Sequence, residues 1–406
     1  MAGTLTGRLR SPLLAAAADA IAISAISVIP LNLVAALSIQ IALDLHFSVG
    51  ALGAASAAFF GSQAAFSPFV GRIVDRLGSV RSMRLTAVLV ALNLGVSAAA
   101  TRSLATLMVT LVVAGAINAL AQPATNQFVA ERIPFRRQGS AYGAKQSAIP
   151  VASLAAGLAV PALGLTIGWR WTFTAFALTA ALLAIRRPGG RQRRSSPPQP
   201  SPRALVMLRR GSLVLLSISS GLAAACGSSL SVFLVQGAVA TGWSEAAAGL
   251  LLATASLFGV VGRFAAGVRA DHRDGRHLVV VAAMMICGAT GAALMAVGQP
   301  VVFVIGAIVS YGVGWGWPGL FIFAVVRLNS ARPAAATAFV QGGTAIGAVS
   351  GPVAFGLWVG EQSFASAWAA VAVLLVIAGL VGIAARRRIV REDPFGVNAA
   401  VGGAGT

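Results

Sequence analysis

Charge is what this sequence has least of. Only 10% of its 406 residues are Asp, Glu, Lys or Arg, against about 25% in an ordinary soluble domain. There is one lysine, Lys145, and the ten acidic residues are outnumbered three to one by basic ones. Cysteine is nearly absent. Cys226 and Cys287 both fall inside apolar runs, which excludes a disulfide framework and offers no metal-ligand spacing. Of three histidines, His272 and His277 share one loop, too few for a metal centre. No nucleotide-binding loop, nucleophile elbow or metal-spaced His/Cys/Asp cluster occurs, and no polar stretch is long enough for a catalytic domain. An enzyme, a cofactor and a metal are therefore not expected. A small-residue cleavage site after a short apolar core is also missing, so the first apolar run reads as a retained helix.

What is present is hydrophobic sequence in long runs. Apolar residues make up 57% of the chain, and a bilayer core of about 30 Å needs roughly twenty of them in a row to be crossed by a helix. Backbone groups in lipid must bond within their own segment, and the two-residue alternation of a membrane barrel is absent. Spans are expected at 15–42, 49–70, 82–101, 104–130, 140–164, 168–186, 212–240, 246–268, 278–298, 300–327, 334–359 and 363–385. The fold class is thus an all-α membrane protein of twelve transmembrane helices in two pseudo-symmetric six-helix bundles.

The net charge of +20 would suggest nucleic acid if its placement did not explain it. With the N-terminus in the cytoplasm, all of the 30 Lys and Arg except Arg102 and Arg170 fall on the cytoplasmic side. Short loops retain basic residues on that side, so the charge is a topology signal and no nucleic-acid partner is expected. Trp169, Trp171, Trp243, Trp358 and Trp368 fall near the opposite interface, where amphipathic rings settle. Trp315 and Trp317 lie mid-span.

Residues 187–211 are rich in Arg, Pro and Ser and cannot build a core. They read as a cytoplasmic linker between an N-terminal bundle (1–186) and a C-terminal bundle (212–388), followed by a cytoplasmic tail (389–406). The halves share a motif after their second span. Gly71 and Asp75 recur as Gly267 and Asp271 at one offset of about half the chain, and internal repeats are a mark of transporters.

In this slot the first copy resembles the signature of the major facilitator superfamily, Gly-x-x-x-Asp-Arg-x-Gly-x-x-Arg, matched at Gly71, Asp75, Arg76, Gly78 and Arg81. The resemblance covers nearly the whole chain. It implies a conformational gate formed by these residues with Gly267, Asp271 and Arg273, in which Gly71 allows close helix approach and Asp75 caps a helix or pairs with an arginine in one of two arrangements of the halves. The competing reading is a solvated charged loop. Residues 139–164, with Gly168-Trp169-Arg170-Trp171 and Gly314-Trp315-Gly316-Trp317-Pro318-Gly319, look like a bacterial branch that includes cyanate, nitroimidazole and organic-anion permeases. No substrate is carried over from it. The antiporter pattern of the fifth helix is met only in part, by Gly157 and Pro161, and Gly347 with Gly351-Pro352 gives a closer version in the eleventh.

Solute sites in such folds lie near the midplane at broken helices. The tenth span is the best candidate break, with Tyr311, Trp315 and Trp317 among glycines and Pro318, although small residues also serve helix packing. Asn32, Gln63, Asn118, Gln122, Gln341 and Thr344 are polar residues inside spans, where they face a cavity or a partner helix. Lys145, about two turns into the fifth span, attracts an anionic solute or pairs with Glu131. No acid sits clearly at mid-span, which disfavours a cationic solute and leaves a coupling proton or ion open.

These features point to a secondary active transporter for a small organic solute, neutral or anionic, working by alternating access in the bacterial inner membrane with both termini cytoplasmic. Its partners would be the solute and the lipid bilayer, and a monomer is expected. A hydrophobic-compound or multidrug exporter is the alternative within transport, and a ligand sensor without transport the alternative outside it.

Overall fold

The computed structural model describes residues 3–133, 144–186, 208–272, 277–329 and 332–392. Most of the expected linker and the tail from 393 on lie outside this set. Among the described residues eleven helices are long and apolar enough to cross a membrane: Ala15–Ala36, Val49–Leu77, Ser79–Ala100, Leu104–Arg132, Ala144–Ile167, Arg210–Ala240, Glu245–Ala266, His277–Ala296, Pro300–Leu328, Ala335–Glu361 and Phe364–Glu392. Trp169–Ile185 is a shorter apolar helix. Its 17 residues span about 25 Å, and it fills the sixth place in the order. The protein is an all-α membrane protein with twelve crossing helices in two six-helix sets, numbered first to twelfth below.

The two sets repeat one packing scheme. In the first, the first span packs on the fifth, the second on the fourth and the third on the sixth; in the second, seventh on eleventh, eighth on tenth and ninth on twelfth. Buried faces are lined mainly by Ala, Leu, Ile, Val and Phe, with many buried serines and threonines. Several of these hydroxyls donate back to a carbonyl one turn earlier, as Thr86 does to Ser82 and Ser97 to Asn93, so they enter lipid without an unmet donor.

Helix boundaries differ from expectation at the repeated motif. The stretch 71–81, read as a loop, is almost wholly helical. The second span runs on to Leu77 and the third begins at Ser79, with Gly78 alone turning the chain at φ +79°. A helix leaving the membrane needs only satisfied backbone groups to continue, and arginines form helix well. The stop comes at the one residue type that takes positive φ without strain. The eighth span likewise continues to His272.

Two spans are interrupted. Val160–Gly164 in the fifth and Ser310–Gly314 in the tenth are π-helical turns. In the tenth, the Trp315 amide bonds the Ser310 carbonyl, and a new helix starts at Pro318, where proline's missing N–H is tolerated. The break expected there is present. Among the tryptophans, Trp171 and Trp358 are exposed, but Trp169 and Trp368 are buried. Trp169 donates to Asp44, and Trp368 packs on Phe303 and Phe355, so neither behaves as an interfacial anchor.

Candidate solute site between the two helix sets

The two sets meet along two seams. In one, the second span lies on the eleventh; in the other, the fifth lies on the eighth, with the first span also touching the seventh. One end of the bundle carries most of the described arginines and is called the basic end; the other is the far end.

At the far end both seams are shut. A Cβ on Gly53 would collide with the Pro352 carbonyl, and Gly50 faces Gly356. In the other seam a Cβ on Gly157 would lie 2.6 Å from the Gly249 carbonyl oxygen. Gln40, in the short helix Ser38–Leu45 that follows the first span, donates to Glu245 at 2.8 Å.

At the basic end the seams differ. In the second span every residue from Ala64 to Phe69 is exposed. Six consecutive residues go all the way round a helix, so no face of this turn is packed. Ala338, Phe339, Gln341 and Gly342 of the eleventh span are exposed as well. These two helices have parted, leaving a gap. The fifth and eighth spans have not. Arg263 of the eighth, 5% exposed, donates through Nη1 to the Gln146 carbonyl of the fifth. Its Nε and Nη2 hold the Trp315 carbonyl of the tenth at 3.3 and 2.9 Å, and the Trp315 ring lies 5.8 Å from the guanidinium carbon.

Deeper in, a chain of hydroxyls crosses from one set to the other. Tyr311 donates to Ser153 at 2.7 Å, Ser153 to the Asn32 oxygen at 2.6 Å, and Ser231 lies 3.3 Å from the Tyr311 hydroxyl. Asn32 also donates to the Val28 carbonyl. The first, fifth and tenth spans are thus joined at buried positions, and the seventh through the half-buried Ser231.

A second polar cluster belongs to the first set alone. Lys145 Nζ donates to Asn126 Oδ1 at 2.6 Å, to Gln122 Oε1 at 3.0 Å and to the Gln122 carbonyl at 3.4 Å. Gln122 donates on to Asn118, which also accepts from Ser27. Lys145 is 5% exposed, whereas Asn126 is open to the exterior. The ammonium therefore sits just inside the surface, and among the described residues its acceptors are all amide oxygens.

The described carboxylates are elsewhere. Asp44 pairs with Arg170 at 2.8 Å, Asp19 faces Arg186 at 3.8 Å and Glu392 pairs with Arg388. Glu131, expected as an alternative partner of Lys145, instead accepts from Ser79 and Gln127. That pairing is replaced because one helical turn within the fourth span brings Gln127 to it directly.

The residues expected at the site divide into groups. Asn118, Gln122 and Lys145 form one cluster, and Asn32 and Tyr311 join through Ser153. Gln63 and Gln341 enter neither network, and Thr344 returns its hydroxyl to the Val340 carbonyl. Trp317 is 1% exposed and packed edge-on between Trp315 and Phe321, while the Trp315 ring lies against Gly227. Both rings belong to the packing of the second set. At the motif, Asp75, Arg76 and Arg81 are exposed, Asp75 makes no hydrogen bond or ion pair among the described residues, and a Cβ on Gly71 would meet nothing within 4 Å. The close helix approach expected at Gly71 is absent in this conformation because the neighbouring seam has parted. The side chain of Asp271, and Arg273 altogether, lie outside the described residues.

Sequence reasoning missed Ser153, Ser231, Asn126 and Arg263. Arg263 was counted with the loop arginines. The repeat itself held the signal: the offset relating Gly267 to Gly71 relates Arg263 to Ser67, which lies within the second span.

The chain matches the sequence model of the Major Facilitator Superfamily over residues 13–237 and 216–401. No curated protein matches it. Its fold is similar to that of a bacterial homolog to the human lysosomal transporter Spinster. The inward-facing, occupied crystal structure of that protein aligns with a TM-score of 0.64 at 16% identity, over 92% of this chain and 96% of that one. The inward-facing, unoccupied structure aligns with a TM-score of 0.65 at 17% identity, over 94% and 98%.

Proposed function

The chain belongs to the Major Facilitator Superfamily, and from that premise we propose that it moves a small organic anion across the bacterial inner membrane by secondary active transport. Family and fold make it a multi-pass membrane transport protein and not an enzyme. The finer reading adds alternating access between six-span halves (1–186 and 212–388) joined by the basic linker 187–211, with both termini and the tail 389–406 in the cytoplasm. The basic end is then the cytoplasmic end, as retention of arginines requires. The parted second and eleventh spans correspond to access from the cytoplasm.

Lys145 carries the anion assignment. A buried ammonium is expensive in a membrane protein and marks a solute or ion path. Amide oxygens solvate it without neutralising it, so a passing carboxylate finds an unspent positive charge. The exposed Asn126, which accepts from Lys145, leaves that charge one side chain from the surface. The hydrophobic-compound alternative draws less support, since Trp317 is packed away and Trp315 is wedged on Gly227.

Purified protein in liposomes, assayed for uptake of radiolabelled organic anions, tests the assignment. The Lys145→Ala variant is expected to retain its elution profile and lose at least about tenfold in uptake, the worth of one charged hydrogen-bonding contact. Uptake equal to the parent protein's would overturn the anion reading.

A further inference from the structure

We propose that the transported anion carries two acidic groups, one held by Lys145 of the first set and the other by Arg263 of the second. This rests on the anion reading above and adds the ligand's charge and the second anchor.

Two buried cations, one from each set, belong to the two helices of one seam, Lys145 to the fifth span and Arg263 to the eighth. Arg263 reaches the carbonyl of Gln146, the residue next to Lys145, so the two cations are tied to adjacent residues of the fifth span. They share no acceptor. Lys145 places its donors on Gln122 and Asn126 of the fourth span, and Arg263 places its donors on Trp315 and Gln146. They are therefore two anchor points rather than one.

No described carboxylate bonds to either, although each buried charge favours an opposite partner. The described carboxylates are engaged with other partners, as Asp44, Asp19, Glu131 and Glu392 are, or exposed, as Asp75 is. A ligand with one acidic group would leave one cation uncompensated; a ligand with two would neutralise both.

Arg263 also keeps capacity in reserve. A guanidinium has five N–H donors, and three are used in bonds to described atoms. Two remain for a carboxylate, whose two oxygens match the planar fork. Because the anchors lie in opposite sets, a diacid ties the sets together, which a monoacid cannot do.

The test compares matched acids on the purified, full-length protein: succinate with butyrate, adipate with hexanoate, and terephthalate with benzoate. Binding is read by titration calorimetry and by thermal stabilisation, which rises with occupancy. At least one diacid is expected to bind about tenfold or more tighter than its monoacid, the contribution of a second charged contact. Arg263→Gln and Lys145→Gln should each bring that ratio close to one, and Arg263→Lys should restore part of it. An arginine with a structural role only would lower stability without moving the ratio. Should Arg263→Gln fail to fold, the ratio in the parent protein decides. Monoacids binding as tightly as diacids would overturn the two-anchor site while leaving the anion reading in place. If none of the acids binds, both readings fall.

Discussion

The two seams between the helix sets are built differently, and only one has opened. The seam of the second and eleventh spans relies on backbone contact at Gly53 and Pro352 and has no cross-seam side-chain hydrogen bond among the described residues. At its basic end it is apart. The seam of the fifth and eighth spans is pinned at both ends and flanked by a hydroxyl chain, through Gln40–Glu245, Tyr311–Ser153 and Arg263–Gln146. Van der Waals contact between helices in lipid is readily exchanged for contact with lipid tails. A buried charged hydrogen bond has no such substitute, because breaking it leaves an unsatisfied cation. Under the alternating access proposed above, movement would begin at the apolar seam, and the polar seam would wait for something to replace its bonds.

The largest way to break this comparison is to obstruct the apolar seam where it is shut. Gly53→Val places a side chain against the backbone of Pro352, and overpacking of this kind costs about 1–3 kcal/mol. Far-end closure should be disfavoured by roughly tenfold to a hundredfold, read as loss of uptake and as spread distances between spin labels at the far ends of the second and eleventh spans. Next is the hydroxyl chain. Tyr311→Phe removes the bond to Ser153 at a cost of about 1 kcal/mol, and should loosen the fifth–eighth seam, seen as faster backbone hydrogen exchange around Ser153.

The motif tests whether the parted seam has a second arrangement. Asp75→Asn should leave folding and insertion unchanged, since Asp75 has no described partner in this conformation. If the motif is the gate its family resemblance implies, transport should slow by several-fold, because the carboxylate would then act only when the seam closes, and exposed charged contacts are worth up to about 1 kcal/mol. Unaltered transport would reduce the motif to a solvated helix end. Gln341→Ala is expected to change uptake least, less than about twofold, because Gln341 is exposed and outside both polar networks. A large loss there would move the solute path toward the eleventh span.

The twelve spans and their grouping were readable because lipid imposes a length and a hydropathy that few other environments do. Lys145 was readable as the only lysine in an apolar stretch. The break in the tenth span was readable because Pro318 and its glycines weaken a helix in any context. Ser153 and Ser231 were not, since serines occur throughout these helices and most of them only satisfy their own backbone. Which serine meets Tyr311 depends on how two helices distant in sequence rotate against each other. Arg263 was misplaced for a related reason: charge alone sets an arginine near an interface, and only the packing of the eighth span against the fifth and tenth shows it turned inward.

Composition, run length and arginine placement thus determined by themselves that this chain crosses a membrane twelve times as two related sets, because those quantities measure transfer of each segment between water and lipid. Which seam is open, which polar groups meet across the other, and that Arg263 faces the residue next to Lys145 were decided only by the tertiary structure. Those are relations between helices, set by rotation and close contact, and no single segment carries them.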